Sequence, residues 1–338
     1  MRSSIKKALV VFGALLIAAG TASAQVADAP AQATVKGDGA KIRLLFNQPG
    51  TNSFPPFVIR KFQLDKKYGF ELVPIPTATT QTMTTALQSG GAEIGMLGWN
   101  DLVRVRNAGV KVIGIAPFLR WGADFMVVQK ASPVQTLADL KDKKVGAGSK
   151  TALNWIVMRA VGIRDYKVDL EKEATVAEGA PNLLWGLLDN GQLDATHIFN
   201  SMTPSMIATG KFRVLVKIST LVQQFGLPDT PFLLYVTDTA YAADKPNNVK
   251  AFLAAYRDAI QILMRDDAVW LERGKELQMS EAVASLFRKE ARTDLWAKFA
   301  PDTEANIRTV FTAMLKEAGP EVLGLSELPA GFMTSEYQ

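Results

Sequence analysis

Short apolar runs alternate with stretches of helical spacing through the first part of the chain. The run Ile42–Phe46 (IRLLF) is typical of a buried strand, and the apolar side chains of Pro55–Lys67 then recur at helical spacing. The pattern predicts strands at 42–46, 70–75, 93–97, 111–116 and 124–129, and helices at 55–67, 80–89 and 101–107. Strands separated by single helices predict βαβ units, a mostly parallel sheet and right-handed crossovers.

A second series of the same kind follows, and a helical region ends the chain. We predict helices at 136–143, 151–161, 181–189 and 204–209, strands at 144–147, 195–199, 213–218 and 232–236, and an extended stretch at 168–176. From Asn247 onward the apolar residues fall at 3.6-residue spacing. Two such stripes should face the core: 249, 252, 253, 256 and 260, then 307, 310, 311 and 314.

One helix–turn–strand stretch occurs twice, 101 residues apart. LQSGGAEIGMLGWND (87–101) aligns with LDNGQLDATHIFNSM (188–202), pairing Gly90 with Gly191 and Glu93 with Asp194. Any helix–strand turn uses glycine and an acid, so the match alone is weak. Its place at the same step of both series favours two related α/β lobes.

The N-terminus has the three parts of a secretory signal. A basic start (Arg2, Lys6, Lys7) precedes an apolar stretch, and Ala22-Ser23-Ala24 fits the small-residue rule for cleavage after Ala24. The apolar stretch is too short for a membrane anchor, which needs about 20 residues. We therefore predict a signal peptide at 1–24, a flexible leader at 25–39 and an exported protein in the periplasm.

Composition removes several functional classes. The chain has no cysteine, which excludes disulfides, thiolate metal sites and the usual lipoprotein anchor. The pI of 9.2 suggests nucleic-acid binding, but three of the 38 basic residues lie in the signal peptide. The rest of the chain has 35 basic and 33 acidic residues, and the basic residues do not cluster into a stripe. We therefore expect no nucleic-acid partner.

The segments after the strands are the candidate ligand contacts, because ligands of open α/β sheets bind outside the carboxyl ends of the strands. These segments are rich in Ser, Thr, Asn and Trp, which suits a small, partly apolar ligand that accepts hydrogen bonds. Helix capping explains the same residue types equally well. The candidates are Ser53, Phe54, Thr79, Thr80, Trp99 and Asn100 in the first series, and Ser149, Lys150, Thr151 and Asn200 in the second.

Three further residues are candidates, and two of them have a second interpretation. Arg120 and Trp121 are candidates to clamp a carboxylate or sulfonate where the lobes join, or are a surface arginine and a half-buried tryptophan. Glu178 is a candidate to reach the ligand from the loop before Pro181.

Motifs for catalysis are incomplete. The stretch GAGSKT (146–151) resembles the end of a phosphate loop, but Ser149 separates the glycine from Lys150. His197 is the single histidine and lies in an apolar strand, where a packing role is the commoner one. No G-x-S-x-G elbow is present, so we predict no catalytic residue, no metal site, no cofactor and no enzyme activity.

The mature chain resembles the ABC-transporter periplasmic substrate-binding proteins of the nitrate/sulfonate/taurine type, which include thiamine-precursor binders. The stretches that carry the resemblance are 86–95, 127–134, 137–146 and 187–195, and it covers about residues 41–320. SPVQTLADLKDKKVGAGS (132–149) is the most specific, with Asp142 where the family usually has glycine.

The resemblance implies a type II periplasmic-binding-protein fold. Two α/β lobes would be joined by two hinge crossovers, near 124–129 and 231–236, with a helical C-terminal region. Lobe one would comprise 40–124 and 237–338, and lobe two 125–236. The lobes of a monomer would close on a small molecule and dock on a membrane permease.

The aromatic residues near the strand ends favour an organic ligand, anionic or heteroaromatic. They are Phe54, Trp99, Trp121 and Trp155. Two alternatives stay open: an enzyme of the same fold acting on a pyrimidine- or carboxylate-type substrate, and a ligand-sensing partner of a membrane receptor.

Overall fold

A computed structural model describes residues 35–47, 50–77, 80–121, 124–199, 201–224 and 226–338, and residues 35–338 form one compact unit. The predicted signal peptide and most of the predicted leader lie outside the described residues. Within the described ranges, no helix has the length and apolar character needed to cross a membrane.

The strands of the described residues form two five-stranded sheets. They are β1 (Lys41–Asn47), β2 (Glu71–Thr77), β3 (Ile94–Gly98), β4 (Val112–Arg120), β5 (Asp124–Gln129), β6 (Lys144–Ala147), β7 (Thr175–Glu178), β8 (Ala195–Phe199), β9 (Phe212–Lys217) and β10 (Pro231–Asp238). Sheet one has the order β2-β1-β3-β10-β4 and sheet two the order β7-β6-β8-β5-β9.

The two sheets have the same design. In each, four strands run in one direction and one strand runs against them, β10 in sheet one and β5 in sheet two. The reversed strand is in both cases the first one after the chain has crossed from the other sheet. The predicted pair of related α/β units is therefore present. As predicted, most strands of each sheet run in the same direction.

The repeated stretch of sequence occupies the same place in both sheets. It leads into β3 and β8, the middle strands, and Gly90 and Gly191 both have a positive φ, 66° and 69°. The acid after each glycine accepts a hydrogen bond from the backbone of the neighbouring strand. Arg43 N donates to Glu93 Oε2 at 2.7 Å, and Lys144 N donates to Asp194 Oδ2 at 2.8 Å. The shared acid thus ties the start of the middle strand to its neighbour in each sheet.

Helices connect the strands and form most of the C-terminal region. They are α1 (Phe54–Lys61), α2 (Leu64–Lys67), α3 (Thr80–Gln88), α4 (Trp99–Asn107), α5 (Leu153–Val161), α6 (Leu170–Glu173), α7 (Pro181–Asp189), α8 (Thr203–Ala208), α9 (Ile218–Gln224), α10 (Thr239–Asp244), α11 (Pro246–Arg265), α12 (Asp267–Glu276), α13 (Glu281–Asp294) and α14 (Thr303–Leu323). Both predicted apolar stripes of the C-terminal region are buried, on α11 and α14.

Three predicted elements differ in the structure. The helix at 55–67 is two helices, because Gln63 adopts a left-handed conformation (φ 51°) between them. The helix at 136–143 is only a 3-10 turn over Ala138–Leu140; beyond it Asp142 has a φ of 59°, which glycine adopts more readily. The extended prediction at 168–176 was wrong, since Asp169 caps the short helix α6.

Both crossovers lie before the segments that the resemblance implied. β5 lies wholly in sheet two, so the first crossover is the segment between Arg120 and Asp124. β10 lies wholly in sheet one, so the return crossover ends before Pro231 and not within 231–236. Two of the C-terminal helices contact elements of the part of the chain that forms sheet two. Helix α14 packs against α5, and Glu290 of α13 pairs with Lys217 at the end of β9. The lobe boundaries themselves stay a prediction.

Candidate functional site

The carboxyl ends of the parallel strands in both sheets lie on the side where the chain crosses over. The first crossover leaves from the end of β4, and the return follows β9 and α9. Because β5 and β10 run against their neighbours, they begin at this same edge. The segments after β1, β3, β6 and β8 therefore belong to one region between the sheets, which we call the interlobe edge.

Two predicted residues meet across the interlobe edge. Asn100, at the start of α4, donates from Nδ2 to the carbonyl oxygen of Thr151 at 3.0 Å. Arg104, one turn further along α4, donates to the same oxygen at 2.7 Å and also pairs with Asp101. The segments after β1 and β8 also come close together. A Cβ atom added to Gly50 would lie 3.9 Å from Ser201 Oγ.

The loop after β6 is held in a defined shape by its own side chains. Ser149 Oγ lies 3.0 Å from Thr151 Oγ1 and accepts a hydrogen bond from Thr151 N at 3.2 Å. Glu178 Oε1 accepts from Lys150 N at 2.6 Å. Glu178 therefore reaches this loop, and its observed partner there is a backbone N–H. The prediction that Glu178 contacts the ligand stays a prediction. Helix α5 starts at Leu153, two residues later than predicted.

The predicted aromatic contacts are core residues. Phe54 is fully buried, with its ring centroid 4.6 Å from that of Trp270. Trp99 is fully buried and packs edge-on against Phe311 of α14 at 6.4 Å. Trp155 is also buried and donates from Nε1 to Glu171 at 2.9 Å. Each ring thus already has protein neighbours.

The other predicted contacts fall into two groups. Ser53 is buried, and its hydroxyl donates to the carbonyl of Gly50 at 3.0 Å instead of capping α1. Thr79 and Asn200 lie outside the described residues, and of Thr80 only the backbone is described, as the first residue of α3.

Arg120 and Trp121 join the two crossovers to each other. Trp121 Nε1 donates to Thr230 Oγ1 at 2.6 Å, and Arg120 pairs with Asp229 while its guanidinium lies 4.4 Å from the centre of the Trp296 ring. Trp121 is buried and not half-buried as one interpretation had it. The side chains proposed as a ligand clamp are thus engaged at the hinge, in a crossover latch made of residues 120, 121, 229 and 230.

The latch gives a prediction for Thr230→Val. The change keeps the shape of a fully buried side chain but removes the acceptor for Trp121 Nε1. An unpaired buried donor costs about 1–3 kcal/mol, so we expect the free energy of unfolding in urea to fall by that amount. The exposed Thr175→Val is the matched control, expected within about 0.5 kcal/mol of the parent. Equal stability of Thr230→Val and the parent would contradict the latch.

A buried polar cluster behind the interlobe edge was missed by sequence reasoning. Asp124, the first residue of β5, is bonded to Asn154 Nδ2 of α5 and lies 3.1 Å from His197 Nε2 through the same Oδ2 atom. All three side chains are almost fully buried. His197 was interpreted as a packing residue; the only sequence signal for more was a histidine within an apolar strand that ends at the candidate site.

Asp294 is the second acid of this region, at the end of α13. It is 5% exposed, and its burial raises its pKa to about 7, despite Lys217 and a hydrogen bond from Thr293, with Glu290 and Asp124 adding to the rise. Trp296 N donates to Phe118 O in β4, so Asp294 lies beside the end of sheet one. A buried carboxyl next to lobe-two residues marks this end of α13 as part of the interlobe edge.

Two surface depressions lie elsewhere. One of about 630 Å³ is formed by the start of α14 and the C-terminal segment, including Phe299, Glu304 and Met333. The other, of about 280 Å³, lies between α1, β2 and α12, with Phe57 and Arg60 in its lining. Neither is bounded by both sheets, so we place the candidate site at the interlobe edge.

Solved structures share this fold at low sequence identity. The alkanesulfonate-binding protein SsuA from Xanthomonas axonopodis pv. citri, bound to MOPS, is 16% identical over 88% of this chain and 99% of its own, with a TM-score of 0.73. The aliphatic sulphonate-binding protein SsuA from Escherichia coli is 19% identical over 84% and 94%, with a TM-score of 0.68. The nitrate-binding protein NrtA from Synechocystis PCC 6803 is 14% identical over 73% and 69%, with a TM-score of 0.58.

These likenesses confirm the predicted type II periplasmic-binding-protein fold with its helical C-terminal region. A comparison with curated proteins finds no match. The family model described as NMT1/THI5 like matches residues 66–268, which is more than half of the chain. The resemblance seen in the sequence is thereby confirmed, and the chain belongs to the NMT1/THI5-like family.

Proposed function

We propose that this protein is a periplasmic solute-binding protein that captures a small organic ligand between its lobes and delivers it to an ABC-type importer. The observation that carries the proposal is the pairing of two sheets of one design, whose strand ends share one edge and meet at Asn100 and Thr151. Two lobes joined by short crossovers close by hinge motion. Relatives in fold are named as sulfonate- and nitrate-binding proteins, which supports a small-molecule ligand.

We propose fewer ligand-contact residues than the sequence suggested. The residues that stay in the proposed site are Asn100, Ser149, Lys150, Thr151 and Glu178, and the hydrogen bonds among them support this choice. Ser201 joins them through its approach to Gly50. The fully buried Phe54 and Trp99 do not enter the proposal. We propose no cofactor, a monomer, and a membrane permease as the partner.

The enzyme alternative gains no support from His197. Its Nε2 faces Asp124, and its Nδ1 has no hydrogen-bond partner among the described residues, so none of their side chains serves as a nucleophile bonded to the ring. A triad requires the ring to join an acid on one side to a nucleophile on the other. We therefore favour binding over catalysis.

Closure on a ligand is the test of this function. Because the chain has no cysteine, Gln88→Cys and Gln192→Cys place one spin label on each lobe, both at exposed sites. A library of sulfonates, carboxylates, nitrate, pyrimidines and amines is screened by thermal shift. We expect a hit with micromolar or tighter affinity, about −8 kcal/mol or better, which shortens the distance between the labels.

The control pair lies within lobe one. Labels at Gln88→Cys and Lys66→Cys should keep one distance with and without the hit, because a hinge moves lobes as rigid bodies. Stabilising hits with an unchanged distance between the lobes, or steady turnover of a hit, would refute the proposed function.

A further inference from the structure

The buried atoms at the interlobe edge that lack hydrogen-bond partners are mainly acceptors. Buried polar atoms without a partner are rare in proteins, so a group of them in one region indicates a binding role. In the described part of the chain the acceptors are Asn100 Oδ1, Asn154 Oδ1, His197 Nδ1 and Asp294 Oδ2. Ser201 Oγ can donate or accept, and Trp99 Nε1, next to Asn100, is an unpaired donor.

The amide orientations follow from their partners. Asn100 faces a backbone carbonyl and Asn154 faces a carboxylate, and both of these partners only accept. The amide nitrogens must therefore point to those partners, which leaves the two amide oxygens unpaired.

His197 presents an acceptor for a similar reason. Its Nε2 lies 3.1 Å from Asp124 Oδ2, which also accepts from Asn154, so Nε2 carries the proton. In the neutral ring Nδ1 is then a lone-pair acceptor. It faces the loop after β6: a Cβ on Gly148 would lie 3.9 Å from Nδ1 and 3.7 Å from the Phe199 ring, which supplies an apolar wall.

The cations at this edge are mostly committed. Arg104 pairs with Asp101, Arg120 with Asp229 and Lys217 with Glu290. Lys150 is the exception, because its ammonium group has no partner among the described residues and only its backbone nitrogen is bonded, to Glu178. The donors left for an oxyanion are therefore fewer than the unpaired acceptors.

We propose that the ligand is a small nitrogen base whose N–H groups donate to Asp294, His197 and the two asparagine oxygens. This inference rests on the proposed function and names the class of ligand for that site. An amine or amidine satisfies unpaired acceptors and carries the positive charge that a buried carboxylate attracts. A sulfonate or nitrate, which only accepts, would leave those atoms unpaired.

The test compares benzamidine, a cation that donates hydrogen bonds, with benzoate, an anion that accepts them. Both carry the same benzene ring, and benzenesulfonate serves as a second oxyanion. Binding to the mature protein is measured by titration calorimetry, and closure by the interlobe spin labels. We expect benzamidine to bind and close the lobes, and both oxyanions to bind at least about tenfold more weakly.

The variant Asp294→Asn separates this site from nonspecific attraction of a cation. It should weaken benzamidine about 10- to 100-fold, whereas Asp244→Asn, at an exposed end of α10, should leave the affinity unchanged. In the parent, benzamidine affinity should rise about tenfold per pH unit from pH 5.5 toward 7, since burial keeps Asp294 protonated below that range. The groups facing Asp294 are Lys217, Glu290, Asp124 and Thr293, and the variant should remove the rise.

Three results would overturn the inference. Closure on benzoate or benzenesulfonate without closure on benzamidine would refute the ligand class and leave the proposed function standing. Binding of neither probe class, or equal binding by Asp294→Asn and the parent, would refute it as well. The function itself fails if no member of the wider library closes the lobes, or if a hit is turned over.

Discussion

Replacing Trp99 by alanine should lower the free energy of unfolding by about 3–5 kcal/mol, because the indole is fully buried against α14 and its loss leaves a cavity. The midpoint of urea unfolding of the ligand-free protein measures the change. Phe311 would lose its edge-on aromatic partner, which contributes to the same loss.

Trp185→Ala is the matched control for this variant. Trp185 lies on α7, is only partly buried and packs edge-on against Phe212, so we expect a smaller loss. A Trp99→Ala protein with parental stability and greatly weakened ligand binding would move Trp99 back to the ligand site.

Replacing Asp294 by asparagine should stabilise the ligand-free protein at pH 8 by about 4 kcal/mol. Burial raises the pKa of Asp294 to about 7, whereas the unfolded chain has the ordinary value near 3.9. Between these values the folded protein holds a proton that the unfolded chain releases. Stability therefore falls as pH rises from about 4 to 7, by about 1.4 kcal/mol per unit for this group.

The asparagine variant should lose this part of the pH dependence. Urea unfolding at pH 4, 6 and 8 measures it, with the exposed Asp244→Asn expected to follow the parent at all three values. A parent whose stability does not fall relative to Asp294→Asn between pH 4 and 8 would contradict the raised pKa. A variant that is more stable yet binds its ligand less well would mark Asp294 as retained for binding, since active and binding sites often carry such a cost.

The repeat was the most informative sequence feature for the fold. The pairing of Gly90 with Gly191 and of Glu93 with Asp194 correctly predicted two related α/β units. The left-handed turn depends on local residues, whereas the acid bonds to a strand 50 residues away in the sequence in both units. Local patterns also located the C-terminal helices. Local patterns were less reliable for short elements, since the predicted helix at 136–143 is a 3-10 turn and the predicted extended stretch at 168–176 contains α6.

The site was harder to predict because its burial depends on distant partners. Trp99 follows β3 directly, which suggested a place at the ligand, but α14 lies two hundred residues away in the chain and covers it. Asp294 stands at an ordinary helix end, and its charged neighbours Asp124 and Lys217 come from β5 and β9, far away in the sequence. Single-sequence patterns carry no information about such contacts.

The place of β10 between β3 and β4 has a consequence for the order in which the chain can fold. Every strand of sheet two lies within residues 124–217, so this sheet can assemble from one continuous segment. Sheet one joins residues 41–120 to a strand at 231–238, and β4 pairs with sheet one only through β10. Such long-range pairing is slow to form. We therefore expect lobe two to become protected first, with the facing edges of β3 and β4 remaining open, and vulnerable to pairing with other chains, until β10 inserts between them.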